Sequence, residues 1–331
     1  MTNLRGRSVL RLDDFSEAEI LEMLRLAADL KAAKRGGYEV QRLKGKSIAL
    51  IFEKDSTRTR SGFEIAAFDQ GMHVTYMGPS GSHIGHKETI KDTARVLGRM
   101  YDAIEFRGYA QEDVEALALY SGVPVYNGLT DTSHPTQILA DFMTMREFCN
   151  KPFREMSFAF LGDGQDNVAL SLAMGAAKLG MDMRFGAPEA LSTKPEDRAR
   201  IDAAAAISGA RISYESDPKK AVAGVDFIIT DVWVSMGEAD SLWADRIKLL
   251  KPYQVDSALM AASGNKAVKF MHCLPAFHNA ETEVGKDIEK RFGLSAMEVT
   301  DEVFESTASI VFDEAENRMH SIKAMLVATL A

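Results

Sequence analysis

The chain has 331 residues, of which 46% are apolar and 26% charged, and a net charge of −9. It is long enough for two folded domains, and its acidic balance argues against nucleic-acid binding, which favours a basic surface. Its two cysteines, Cys149 and Cys273, are too few for a disulfide framework. The N-terminus lacks the apolar region of a signal peptide, and no stretch approaches the roughly 20 apolar residues of a membrane span. We therefore expect a cytoplasmic enzyme that binds neither nucleic acid nor membrane.

Apolar segments of strand length alternate with segments of helical periodicity in the first half of the chain. The strand segments are 47–53, 73–77, 102–107 and 124–128. The helical segments that follow them are 58–70, 89–98, 111–120 and 134–148. This order predicts a parallel sheet with helices on both faces.

The same alternation restarts after residues 151–156, a charged segment with a proline that we predict to be the domain boundary. Further strand segments are 156–162, 181–188, 211–216, 225–233 and 267–275, with helices predicted at 167–179 and 194–208. Residues 309–331 form one long amphipathic pattern. The predicted fold class is α/β, with two domains that each contain a parallel sheet flanked by helices.

The first predicted strand leads into residues 55–60, DSTRTR. Ligands of open α/β sheets bind beyond the carboxyl ends of the strands, and the start of a helix favours an anion. The residues suited to contact a phosphate there are Ser56, Thr57, Arg58 and Thr59. The alternative is a plain helix start, in which Asp55 or Ser56 is the N-cap and Arg60 pairs with Glu64.

Polar side chains also follow the other strands of the first predicted sheet. The second strand is followed by a glycine- and serine-rich loop at 78–88, which by itself favours a surface loop. Arg107 ends the third strand, where a buried guanidinium is costly unless it meets an anion or a carboxylate. His134 precedes Pro135, which favours an extended conformation for the histidine. Because these groups share one edge of the sheet, we favour a binding site over separate structural roles.

The second half repeats this arrangement with different residues. The segment 162–167, GDGQDN, resembles the start of a dinucleotide-binding fingerprint, but Asn167 replaces its third glycine. Asp231 and Cys273 each end a predicted strand. A buried cysteine is most often an inert small apolar residue, which is the interpretation we keep for Cys149.

Five segments, in this order and spacing, resemble those of ornithine carbamoyltransferases in the aspartate/ornithine carbamoyltransferase family: FEKDSTRTR, DTSHPTQ, DVWVSMGE, HCLPAFH and DEAENRMH. The resemblance runs from near Leu10 to the C-terminus. It implies a carbamoyl phosphate-binding domain at 1–150, an ornithine-binding domain at 151–308, and a final helix at 309–331 that crosses back to the first domain. It also implies a homotrimer or a higher assembly of trimers, and neither a metal nor an organic cofactor.

The implied reaction transfers the carbamoyl group of carbamoyl phosphate to the δ-amine of L-ornithine, giving L-citrulline and phosphate. It serves arginine biosynthesis or, in reverse, arginine catabolism. The implied catalytic residues are Arg107, His134, Asp231 and Cys273. The implied contacts of carbamoyl phosphate are Ser56, Thr57, Arg58, Thr59, His83, Arg107, His134, Pro135, Thr136, Gln137, Cys273, Leu274 and Arg318. The implied contacts of ornithine are Asn167, Asp231, Ser235 and Met236.

One departure from the family pattern lies in the loop after the second strand. Many members have a glutamine where this chain has His83, in a loop expected to reach a neighbouring subunit's site. A neutral histidine donates one hydrogen bond, and a protonated one adds a charge. We therefore expect phosphate affinity to depend more on pH if His83 contacts the substrate.

Two other functions fit the same fold class. A nicotinamide-dependent oxidoreductase would explain GDGQDN, although the missing third glycine argues against it. An inactive relative kept as a binding protein would be expected to have lost a key residue. Arg58, Arg107, His134 and Cys273 are all present, which favours an active enzyme.

Overall fold

The computed structural model describes residues 3–80, 88–235 and 238–331. It divides into two compact units, the first formed by Met1–Met143 with Ala315–Ala331 and the second by Thr144–Glu314. Two residues predicted to contact substrate, His83 and Met236, lie outside the described residues.

The first unit contains a parallel sheet whose strands lie in the order β2-β1-β3-β4. The strands are β1 Ser47–Phe52, β2 His73–Met77, β3 Ala103–Arg107 and β4 Val125–Leu129. The helices that begin in this part of the chain are α1 Glu17–Arg35, α2 Thr57–Asp69, α3 Ile90–Leu97, α4 Gln111–Ser121 and α5 Pro135–Phe148. Short 3₁₀ helices are found at Leu12–Asp14 and Phe153–Glu155.

The strand register places the first candidate site. Strands β1 and β3 are adjacent, and Phe52 pairs with Arg107 at their carboxyl ends. Both strands are buried almost throughout, as expected for a parallel sheet covered on both faces. The residues that follow β1 therefore begin beside Arg107.

The second unit contains a parallel sheet in the order β7-β6-β5-β8-β9. The strands are β5 Ser157–Leu161, β6 Asp182–Gly186, β7 Arg211–Glu215, β8 Phe227–Thr230 and β9 Lys269–His272. The helices that begin in this part of the chain are α6 Asn167–Leu179, α7 Pro195–Ser208, α8 Pro218–Val222, α9 Trp243–Leu250, α10 Ser257–Ala262, α11 Glu283–Phe292, α12 Asp301–Phe304 and α13 Val311–Leu330, with 3₁₀ turns at Glu189–Leu191, Asp240–Leu242 and Lys251–Tyr253. Helix α13 continues into the first unit from Ala315. The strand order reverses between β5 and β8, a position at which open sheets bind ligands.

The part of α13 that belongs to the first unit packs on α1 and α2. Lys31 of α1 donates to Asn317 at 2.7 Å. The Lys323 ammonium is fully buried between Glu39 and Asp69, at 2.7 and 2.6 Å. A buried charge is tolerated when it is paired in this way. The expected return of the last helix to the first domain is thus confirmed.

The predicted α/β fold with two parallel sheets is confirmed. The strand predicted at 225–233 is shorter, since β8 ends at Thr230. Helix α1 was not predicted, although Ser16 and Glu19 form a capping box at its start. Among the described residues, no helix has the length and apolarity needed to cross a bilayer.

Candidate active site

The DSTRTR segment forms the turn from β1 into α2. Ser56 is the N-cap, and its side-chain oxygen accepts a hydrogen bond from the Thr59 N–H at 3.2 Å. Arg60 is exposed and donates from Nε to Glu64 at 2.9 Å, which confirms the predicted pair within the helix. Arg58 is half-buried. The two arginines of the motif therefore have different surroundings.

Two buried arginines converge on the hydroxyl of Thr59. Arg107 donates from Nη1 to Thr59 Oγ1 at 3.3 Å, and Arg318 of α13 donates from Nη2 to the same oxygen at 3.0 Å. All three residues are at most 4% exposed. Two guanidinium groups brought this close repel each other in a medium of low dielectric constant. An anionic ligand would relieve that repulsion.

The start of α5 completes this group. Arg318 donates from Nη1 to Gln137 Oε1 and from Nη2 to Thr136 Oγ1 at 3.4 Å. The Thr136 hydroxyl lies 3.3 Å from His134 Nδ1. Gln137 in turn donates its amide to Asp141 at 2.7 Å, which fixes its carbonyl oxygen toward the arginine. Residues predicted from separate motifs are thus brought together in the first unit.

Burial and three positive charges determine the state of His134. Burial lowers its pKa well below the usual value, and Arg318, Arg107 and Arg58 lower it further. The imidazole is therefore neutral near pH 7. A neutral imidazole has one nitrogen that donates and one that accepts.

The sequence analysis did not identify Glu105, which lies in β3 two positions before Arg107. Its side chain is fully buried, and within the described ranges neither of its carboxylate oxygens has a hydrogen-bond partner. Burial raises its pKa well above the usual value, while Arg107 and Arg318 oppose that shift. The only signal in the sequence was an acidic residue inside an otherwise apolar strand segment. This carboxyl group is a potential counter-charge for the two arginines.

The second unit brings acidic groups to the ends of β5 and β8. Asn167 is the first residue of α6, whose N-cap is Asp166, which accepts from the Val168 N–H at 2.8 Å. Asp231 directly follows β8, and its Oδ1 accepts from the Val232 N–H at 2.7 Å. Burial raises the pKa of Asp231, whereas His272 and the Val232 N–H oppose the rise. These loops flank the reversal of strand order described above.

Cys273 follows β9 and is a protonated thiol near pH 7. Burial raises its pKa well above the usual value, and the negative charges of Asp231 and Glu314 raise it further. A reactive cysteine usually has the opposite environment, with positive charge that lowers the pKa. The environment of Cys273 therefore argues against a role for it as a thiolate nucleophile.

A buried network that the sequence analysis missed holds the turn at Cys273. The backbone N–H of His272 donates to Glu314 at 3.0 Å, and its Nδ1 lies 2.9 Å from the Leu274 N–H, which donates to it. His272 Nε2 lies 3.3 Å from Glu298, and both side chains are fully buried. Leu274 has a φ of +58°, a left-handed conformation that is rare for this residue type and frequent at functional sites.

Among the described residues, two groups bring three potential metal ligands within 4.8 Å of one another. One consists of Asp231, His272 and Cys273, and the other of His278, Asp301 and Glu305. The first group is partly protected from solvent. Its carboxylate, Asp231, suits an ammonium group as well as it suits a metal ion. Cys273 and Leu274 belong to the second unit, so their predicted contact with carbamoyl phosphate stays a prediction.

Two family models match nearly the whole chain. Residues 7–147 match the carbamoyl-P binding domain of aspartate/ornithine carbamoyltransferase, and residues 154–329 match its Asp/Orn binding domain. These matches favour carbamoyl transfer over the oxidoreductase suggested by GDGQDN.

Several proteins named as ornithine carbamoyltransferases are similar to this chain over nearly its full length. The ornithine carbamoyltransferase of Limosilactobacillus reuteri is 61% identical over 328 residues, which covers 99% of this chain and 98% of the relative. A protein of Chromobacterium violaceum named as the catabolic ornithine carbamoyltransferase is also 61% identical, over 331 residues, with 99% and 98% coverage. The structure of ornithine carbamoyltransferase from Pyrococcus furiosus has a TM-score of 0.90 and 40% identity, covering 100% of this chain and 99% of that one. The chain belongs to the aspartate/ornithine carbamoyltransferase family.

Proposed function

We propose that this chain is an ornithine carbamoyltransferase, which transfers the carbamoyl group of carbamoyl phosphate to the δ-amine of L-ornithine and releases L-citrulline and phosphate. The observation that carries this proposal is the convergence of Arg107 and Arg318 on Thr59. Such a cationic group suits a substrate that carries a phosphate and develops negative charge during reaction. The names of the relatives support the choice of acceptor.

In this proposal the first half of the chain, 1–150, binds carbamoyl phosphate with Arg318 of the final helix. Ser56, Thr57, Arg58 and Thr59 bind mainly the phosphate, at the start of α2 where the helix dipole favours an anion. Arg107 and His134 address the carbonyl oxygen. Gln137 Oε1 accepts from Arg318, and its second lone pair is available to accept from the carbamoyl NH₂.

The second half, 151–308, binds ornithine through Asn167, Asp231, Ser235 and Met236. Ornithine carries two ammonium groups, and the acidic surroundings of Asp231 suit one of them. The δ-amine must be neutral to attack, whereas the pKa of a free alkyl amine is about 10. Asp231 and Cys273 orient the amine, and the Asp231 carboxylate assists its loss of a proton.

Attack on the carbonyl carbon forms a tetrahedral intermediate with a developing oxyanion. Thr59, Arg107 and the neutral His134 are the donors available to it, and losing one such donor typically raises the barrier by about 2.7–4 kcal/mol. The C–O bond to phosphate then breaks, and the departing phosphate accepts the amine proton. No dedicated general base is required, so positioning of the two substrates supplies much of the rate.

Cys273 forms no covalent intermediate in this mechanism. The support is its raised pKa, since a thiol kept neutral by burial and by Asp231 is a poor nucleophile. Intact-protein mass spectrometry after rapid quenching with carbamoyl phosphate should show an unmodified chain. A carbamoyl adduct on Cys273 would contradict this step.

We also propose a homotrimer and a cytoplasmic location. The trimer rests on the family resemblance, and light scattering of the purified protein should give three times the chain mass. The location rests on the low cysteine content. Cell fractionation tests it directly.

A single assay tests the proposed function. Purified protein should form citrulline from carbamoyl phosphate and ornithine, and should use putrescine and lysine poorly at the same concentration. Equal use of putrescine, or no citrulline at all, would overturn the assignment.

A further inference from the structure

The GDGQDN turn after β5 contains a carboxylate that the proposed substrate contacts do not use. Asp163 Oδ1 accepts from the Gln165 N–H at 2.9 Å, and its carbonyl oxygen accepts from the Asp166 N–H at 3.2 Å. These two contacts shape the turn that leads to Asn167. The other carboxylate oxygen, Oδ2, accepts from Arg246 Nη1 of α9 at 2.5 Å.

The same guanidinium also holds the segment that follows β8. Arg246 Nη2 donates to Glu238 Oε1 at 3.3 Å. The second oxygen of Glu238 accepts from the Ser235 N–H at 2.7 Å. A continuous chain of contacts therefore runs from Asp163 through Arg246 and Glu238 to Ser235.

The pair of Asp163 with Arg246 is largely shielded from water, whereas the contacts of Glu238 are exposed. The side chains of Asp163 and Arg246 are 16% and 15% exposed, and that of Glu238 is 32% exposed. Arginine presents several N–H groups in a rigid plane, so it holds carboxylates from two segments in fixed directions. A lysine ammonium can also pair with two carboxylates, as Lys323 does, but as a point charge it does not fix their directions. The geometry thus depends on the guanidinium, and not on positive charge alone.

The two parts of this segment are held in different ways. Trp233 and Val234 are buried in an apolar cluster that also contains Trp243 of α9. Ser235 and Glu238 are outside that cluster and are held by polar contacts, which join them to each other and to Arg246. Loss of the guanidinium would therefore detach Ser235 and Glu238 from α9 while the apolar cluster keeps the fold.

We propose that Arg246 is a positioning residue for ornithine, which sets the spacing between the segment of Asn167 and the segment of Ser235. This inference rests on the proposed function, in which both residues bind ornithine. Arg246 itself touches no substrate. It acts through Asp163 on one side and through Glu238 on the other.

The test compares Arg246→Lys with Arg184→Lys. Arg184 is a suitable control because it also joins a carboxylate, Asp182, to a second segment through the Ala223 carbonyl. We expect Arg246→Lys to raise the KM for ornithine about tenfold, which is the effect of losing one well-placed interaction. The KM for carbamoyl phosphate and the thermal unfolding midpoint should match those of Arg184→Lys.

Hydrogen–deuterium exchange gives a second readout that does not depend on activity. The Ser235 N–H, which donates to Glu238, should exchange faster in Arg246→Lys than in the control. Asp163→Asn should also raise the KM for ornithine. The KM of the double variant should not exceed that of the more damaging single variant, because both substitutions break the same set of contacts.

The outcomes separate this inference from the proposed function. If the unmodified protein forms no citrulline, the proposed function fails and the role of Arg246 in ornithine binding fails with it. If it forms citrulline but the ornithine KM of Arg246→Lys equals that of Arg184→Lys, only the role of Arg246 is overturned. A parallel rise in both KM values would overturn it as well.

Discussion

The two candidate sites are built from opposite charges, and they differ in how firmly their groups are held. In the first unit, Thr59, Arg107 and Arg318 are nearly inaccessible, and both arginines donate to the Thr59 hydroxyl. In the second, Asp231 and Cys273 are only half-buried. A dianionic phosphate needs several fixed donors, because each loses its own water on binding. An amine that must move and lose a proton is better served by acidic groups that remain partly accessible.

The largest expected effect is that of Arg58→Ala. Its guanidinium adds to the positive charge around His134 and, in our proposal, binds the phosphate. We expect kcat/KM for carbamoyl phosphate to fall about a thousandfold, comparable with the loss of a strong charge-assisted contact. Circular dichroism and the unfolding midpoint should stay close to those of the unmodified protein. Unchanged kinetics would show that the cationic group of the first unit is not the phosphate site.

Asp231→Asn tests the acidic character of the second site. The substitution keeps the size and the hydrogen bond from the Val232 N–H but removes the negative charge. We expect kcat/KM for ornithine to fall about a hundredfold, with little change in the Kd of carbamoyl phosphate. Equal losses for both substrates would mean that the two sites do not divide the substrates as proposed.

Glu105→Gln tests whether the first site needs its buried carboxyl group. Burial raises the pKa of Glu105 in the folded protein, so the folded state holds this proton more tightly than the unfolded state. Stability from this group is therefore greatest at low pH and is lost as the pH rises above the unfolded value of about 4.3. Glutamine does not ionise, so the variant does not lose stability as the pH rises. We expect Glu105→Gln to raise the unfolding midpoint near pH 8 by roughly 3 °C.

The advantage of Glu105→Gln should shrink as the pH falls toward 4.5, because Glu105 is then protonated in a growing fraction of the unfolded chains as well. Thermal unfolding across this pH range provides the measurement. A glutamine variant that is less stable than the unmodified protein at pH 8 would show that the Glu105 carboxylate is charged there. Its attraction to Arg107 and Arg318 would then outweigh the free-energy cost of burying its charge.

Arg60→Ala should have the smallest effect. Arg60 is exposed and pairs with Glu64 one turn along α2, a contact that solvent screens strongly. Activity should remain within twofold of normal, and the unfolding midpoint should stay close to that of the unmodified protein. A loss as large as that of Arg58→Ala would remove the distinction between the two arginines of the motif.

Local features were predictable from the sequence, whereas features that depend on distant segments were not. The cap by Ser56 and the Arg60–Glu64 pair follow from spacing within one helix, and both were anticipated. Glu105 was missed because its burial results from the pairing of β3 with β1 and β4. No local pattern marks a carboxyl group that distant strands will cover.

The contact of Arg318 with Gln137 shows the same limit over a greater distance, since 181 residues separate them. Composition and periodicity gave no reason to pair them, and only the family resemblance placed Arg318 in the site. The network of His272, Glu298 and Glu314 was missed for a similar reason. Its members lie in three segments that meet only after the second unit has folded.

The position of Arg318 in α13 has a consequence for protein synthesis. A ribosome that has completed Gln137 must add 181 further residues before Arg318 exists. The sheet of the first unit can form earlier, but Arg107 and Thr59 must wait for their third partner until the whole second unit has been made. A nascent chain therefore cannot acquire its complete cationic cluster before its acidic site has been synthesised.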